Sequence, residues 1–137
     1  MKSTIRTTLL TSGLLLLTAS CEKQHSGCDK TERGVNVRFE NATGEDIDVL
    51  NFSDHQYSQI ANGTTTCYQS YDNLAFVNDR PAVNCSALID GRELIWETGY
   101  MIACFVKYDT KKTGKYDFVV TKCSNSTGKE GISISNK

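Results

Sequence analysis

From residue 35 onward the period of the hydrophobic pattern is two, and this constrains the fold more than any other feature of the chain. Val35, Val37 and Phe39 alternate with Asn36, Arg38 and Glu40. That is the pattern of a strand with one buried and one wet face. Asn41, Ala42, Thr43 and Gly44 then supply turn chemistry. A second strand is predicted over residues 47–52, although the neighbours Val49 and Leu50 blur its alternation. Residues 53–63 are polar, end in Asn62 and Gly63, and read as a loop. Threonine and tyrosine favour a strand over 64–71, and apolar runs mark others at 74–77 and 83–89. Asp90 and Gly91 separate two apolar runs, which is the clearest hairpin signal present. Residues 101–108 read as a central strand, and Thr113 and Gly114 break it from 116–121. In that last run Tyr116, Phe118 and Val120 share a face, and 131–135 supply a short final strand. No helical stripe interrupts the series. The expectation is all-β: a single antiparallel β-sandwich of about seven or eight short strands, with Greek-key connections. A partly closed barrel is the alternative.

The chain has 137 residues, enough for one domain. Its start reads as an export signal. Lys2 and Arg6 precede a short apolar stretch in which residues 14–17 are all leucine. Thr18, Ala19, Ser20 and Cys21 follow, and this order resembles a bacterial lipobox. In that motif the cysteine is acylated and becomes the first residue of the mature protein. Thr18 stands where the motif usually carries an aliphatic residue, so a plain secreted protein is the alternative. Residues 22–34 hold no large aliphatic or aromatic side chain. The organisation expected is a lipoprotein signal peptide over 1–20, a lipid anchor and flexible tether over 21–34, and the β-sandwich over 35–137. A coil of this length spans on the order of 20 Å, which keeps the domain near the membrane. The face of the membrane is left open.

The formal net charge is −1; without Lys2 and Arg6 it becomes −3, from 13 Lys+Arg against 16 Asp+Glu. No basic footprint argues for nucleic acid as a partner.

Six cysteines in so short a chain point to an oxidising compartment. With Cys21 acylated, five remain and cannot all pair internally. The simplest expectation is two disulfides among Cys67, Cys85, Cys104 and Cys123, with Cys28 free or intermolecular. The alternative pins Cys28 to the domain and leaves a strand cysteine reduced and buried. Successive domain cysteines lie 18 or 19 residues apart, without the close pairs of a structural zinc site.

Three stretches resemble a known group of proteins. They are residues 37–44, residues 57–65 followed by Tyr68 and Tyr71, and residues 114–118. Together they resemble the small β-sandwich lipoproteins of Bacteroidota, with transthyretin-like or immunoglobulin-like architecture and mostly no assigned function. The resemblance implies a β-sandwich and a cell-envelope location. It implies no catalytic residue.

Candidate chemistry is sparse. His25 lies in the tether, and His55 follows Asp54 in a polar stretch. No nucleophile-elbow motif and no phosphate-cradling glycine loop is present. Asp46 and Asp48 lack a third ligand close in sequence for calcium. No cofactor is expected. Tyr57, Tyr68, Tyr71, Tyr100 and Tyr108 are candidates for a sugar- or peptide-binding surface, though tyrosine packs well in half-buried strands and most of these are expected to be plain sheet residues. The loop at 53–63 and the bend at 78–81 are the places to look for recognition. The expected role is non-catalytic: an envelope binding or structural-interaction module, anchored through lipid, with an envelope protein or a glycan as partner. A small periplasmic inhibitor or immunity-type protein is the alternative. An enzyme with a reactive cysteine near His55 is a further one.

Overall fold

The computed structural model describes Cys28, Thr31 and residues 33–96 and 107–137. These residues form eleven strands and no helix. The strands are β1 (Val35–Asn41), β2 (Ile47–Phe52), β3 (His55–Ile60), β4 (Gln69–Tyr71), β5 (Leu74–Val77) and β6 (Arg80–Pro81). They continue as β7 (Cys85–Ile89), β8 (Arg92–Ile95), β9 (Asp109–Lys111), β10 (Gly114–Ser124) and β11 (Glu130–Asn136). The count exceeds the sequence expectation because β3 is an unforeseen edge strand and because β6 and β9 are short pieces. The predicted central strand at 101–108 falls mostly outside the described residues.

Two four-stranded sheets enclose the core. Their orders are β11-β10-β1-β4 and β3-β2-β7-β8, and β6-β5-β9 form a smaller third sheet. The first sheet contributes Val35, Val37, Phe39, Phe118, Val120, Ile132 and Ile134, all fully buried. The second contributes Ile47, Leu50, Phe52, Ala87 and Ile89, equally buried. Phe39 sits at the centre: its ring lies 4.8 Å from that of Phe52 and 5.8 Å from that of Phe118. Burying each such phenylalanine contributes about 1.5–3 kcal/mol relative to leaving it in water. The third sheet closes one end by setting Phe76 against Tyr116, with 4.8 Å between ring centres.

The sandwich is not purely antiparallel. β1 and β10 run parallel, from Val35 beside Gly114 to Asn41 beside Val120. Both strands begin at the same end of the sheet, so the chain must cross back before β10. Gly34 opens this start with φ of +113°; a Cβ there would meet the Tyr71 carbonyl oxygen at 2.4 Å. The Asp90–Gly91 hairpin forms as its sequence requires, with φ of +49° and +69° at the two turn residues.

The sheets meet differently at their two sides. On one side Trp96 bridges to Ile132, so β8 continues onto β11. On the other side β3 and β4 are the end strands of their sheets, and among the described residues no ladder joins them.

Candidate binding groove

The open side is built by a short reversal. The chain leaves β3 at Ile60, turns through Ala61, Asn62 and Gly63, and runs back along β1 as residues 64–71. Asn41 N–H donates to the Thr64 carbonyl at 2.9 Å, and Thr66 N–H donates to that of Phe39 at 2.8 Å. Residues 64–71 therefore belong to the first sheet and β3 to the second. The predicted long strand at 64–71 is reduced to β4, with Thr65 forming an isolated bridge to Glu40.

The reversal is held by a buried polar knot. Asn41 is fully buried, and its Nδ2 donates to the carbonyls of Glu45 and Ile60, both at 2.8 Å. Its Oδ1 accepts from Thr43 N–H at 3.0 Å and from the Thr43 hydroxyl at 2.7 Å. Every polar atom of the amide is satisfied, as burial demands.

Deeper in the seam Tyr57 and Tyr71 join hydroxyl to hydroxyl at 3.0 Å. Both are buried, and desolvation pushes both phenols above their ordinary value. They are core residues that tie the two sheets together, not a binding platform. Of the other tyrosine candidates, Tyr68 lies under the Arg38 guanidinium, 4.6 Å from its ring centre, and donates to Asp117 at 2.5 Å. Tyr108 is exposed, and Tyr100 lies outside the described residues.

Two hollows open along the seam. One, of about 470 Å³, is lined by Gln56, Ser58 and Gln59 of β3 and by Thr64, Thr65, Thr66, Cys67 and Gln69 opposite. Tyr57, Ile60 and Ala61 complete its lining, so no charged side chain of the described residues borders it. The other, of about 460 Å³, lies at the far end around Asp54, His55, Tyr71 and Asp72. The stretch at 53–63, read from sequence as a recognition loop, is thus mainly an edge strand that forms one wall. The opposite wall at 64–69 was not foreseen as part of a site.

At the far end His55 Nδ1 lies 2.9 Å from Asp54 Oδ1, and this bond holds the Asp54 carboxyl below its ordinary value. The imidazole packs against Tyr71 at a tilt of 51°, with 4.2 Å between ring centres. Among the described residues no hydroxyl or thiol hydrogen-bonds to it. Asp46 accepts from Asn62 N–H at 2.8 Å and so serves the turn. Among the described residues no group of three or more His, Cys, Asp or Glu side chains is placed to hold a metal ion. The bend at 78–81 is a tight hairpin in which Asn78 and Asp79 both take positive φ.

The cysteines depart from the simplest sequence expectation. Cys28 is bonded to Cys67, so it is neither free nor intermolecular. The cause is local. Ahead of β1 the chain lies beside β4: Tyr68 N–H donates to the Cys28 carbonyl at 3.3 Å, and the Ser70 hydroxyl to that of Arg33 at 2.7 Å. Cys85 and Cys123 are free thiols. Cys85 faces the core beside Phe52, whereas Cys123 follows the outward-facing parity of β10, so the two lie on different faces. Desolvation pushes the Cys85 thiol up to about 12, which leaves it protonated at neutral pH and a poor nucleophile. Cys21, His25 and Cys104 lie outside the described residues.

Comparison with protein-family models, with curated proteins and with solved structures finds no match to this chain.

Proposed function

We propose that this chain is a membrane-anchored lipoprotein of the bacterial cell envelope whose β-sandwich is a non-catalytic binding module. Export and acylation at Cys21 rest on the leader and the lipobox-like order before it. The binding role rests on one observation: the seam between β3 and residues 64–69 is a neutral groove of about 470 Å³ flanked by two sheet edges that do not pair. Grooves on a rigid sandwich are suited to recognition because the scaffold fixes their walls. The Cys28–Cys67 bond adds to this reading, since Cys67 lines the groove. Only seven positions separate Cys21 from Cys28, and such a stretch reaches at most about 25 Å. An anchored protein would hold its groove within that distance of the bilayer.

Two measurements test the proposal. Intact mass of the mature chain from membranes is expected to give a start at Cys21 plus acyl mass; a soluble, unacylated chain would refute anchoring. A photo-reactive side chain at exposed Ser58 is expected to capture an envelope component that the same group at Asp90, on the distant hairpin, does not. Equal capture from both positions, or none from Ser58, would refute the groove as the binding site.

A further inference from the structure

We infer that the groove takes an extended polypeptide strand of a partner protein, which adds to the free edge of β3 by backbone hydrogen bonding. This rests on the reading of the seam as the binding site and names its ligand class.

The end strands of the sheets are guarded unequally. β8 carries Arg92 and Glu93 and continues onto β11 through the Trp96–Ile132 bridge. β11 is flanked by β8 and β6. β4, β6 and β9 are only two or three residues long. β3 has six residues, His55–Ile60, with no Lys, Arg, Asp, Glu or Pro, the residues that usually blunt an open edge. Among the described residues nothing pairs with its outer side.

The lining chooses between a strand and a sugar. Sugars are commonly held on an exposed aromatic ring. Here Tyr57 is the aromatic residue of the lining, and it is buried with its hydroxyl committed to Tyr71. What the walls offer instead is amide and hydroxyl groups, from Ser58, Thr65 and Gln69, beside an unpaired backbone edge, while the Gln56 amide donates to Asn51 at 3.1 Å. These match the alternating N–H and C=O groups of an incoming strand. Beside residues 56–58 the lack of bordering charge favours neutral side chains, whereas Asp54 and Asp72 border the His55 end. The docking length is set by Gln59, whose φ of +54° turns the backbone and interrupts pairing with β2. Addition therefore runs along residues 55–58.

The probe is a pool of acetylated, amidated octapeptides built from Thr, Val, Ser, Gln and Tyr, passed over the immobilised mature chain. Retained sequences are resynthesised with N-methyl groups at alternate residues, which blocks one backbone edge. The expected result is retention by wild type, at least tenfold weaker binding after N-methylation of the pairing edge, and a similar loss in Gln56→Lys/Ser58→Lys. Both side chains are exposed, and unchanged circular dichroism and unfolding midpoint would verify the variant's fold. Amides of residues 55–58 are expected to gain protection from hydrogen exchange. No retention above the level of the double variant would overturn the proposal, as would binding indifferent to N-methylation on either edge. If Ser58 still captures its envelope component in either case, the groove binds but not by strand addition. If Ser58 captures nothing, the binding-site reading falls as well.

Discussion

Replacing Asn41 by alanine removes four hydrogen bonds from one buried amide. Two are donated to the Glu45 and Ile60 carbonyls at 2.8 Å, and two are accepted from Thr43 at 3.0 and 2.7 Å. A buried hydrogen bond contributes about 1 kcal/mol net, and a polar group left unpaired costs about 1–3 kcal/mol. The Glu45 carbonyl keeps the Thr43 hydroxyl, at 2.8 Å, so it is not orphaned. The sum comes to about 3–4 kcal/mol, a large part of the 5–15 kcal/mol typical of a whole domain. Asn41→Asp keeps the shape but turns the donating nitrogen into an acceptor facing two carbonyl oxygens. It should cost at least as much at neutral pH. The same repulsion raises the new carboxyl's pKa in the folded state, so the folded protein binds more protons than the unfolded chain. Its deficit relative to Asn41→Ala should therefore shrink as the pH falls and one donor returns. Urea unfolding followed by the single tryptophan, Trp96, which is 7% exposed, reads both variants. Stabilities within about 0.5 kcal/mol of wild type for both would refute the account of Asn41 as the knot that holds the reversal.

Three further outcomes are expected. Cys28→Ser should destabilise by about 4 kcal/mol, the chain-entropy value for a loop closed over a separation of 39, and an unfolding midpoint indifferent to reductant would contradict it. A maleimide should modify Cys123 in the native protein and reach Cys85 only on unfolding; equal rates by peptide mapping would show that Cys85 is not sealed in the core. The Asp117 carboxyl is held below its ordinary value, first by Arg38 at 2.9 Å and then by the Tyr68 hydroxyl. A carboxyl depressed in the folded state stabilises above its unfolded pKa and loses that contribution as the pH falls through the folded value. Arg38→Met should therefore flatten the loss of stability below about pH 4, and an unchanged acid limb would exclude Asp117 from it.

Features written locally were legible in the sequence. β1 and β2 announced themselves by apolar residues, and the Asp90–Gly91 hairpin by its turn chemistry. The blurred alternation at Val49 and Leu50 also carried information. Ile47 and Leu50 are both buried although three positions apart, as are Tyr57 and Ile60 on the partner strand. The β2–β3 ladder omits Asp48 and Gln59, and the left-handed backbone at Gln59 lets the chain return inward. That kink is why β3 read as a loop: a strand with two apolar residues at the wrong spacing leaves no period of two. The parallel pairing of β1 with β10 and the Cys28–Cys67 bond left no local trace. Spacing alone does not choose among connectivities. The groove was half legible for the same reason, since its β3 wall fell within a suspected stretch and its other wall is set by where residues 64–69 cross to the first sheet.

The parallel pair also sets an order of events. Arg38 and Asp117, side by side on β1 and β10, are 79 residues apart in the chain. β1 emerges early from synthesis, yet one of its two neighbours in the sheet arrives only when β10 does. Contacts of such high contact order slow folding, because the intervening chain must be closed before the pairing returns any stability. Until then Val35, Val37 and Phe39 have half a sheet to sit in. If the chain is exported as proposed, this late pairing would favour threading through a translocation pore before the sheet closes, and folding time would become a property that export selects upon.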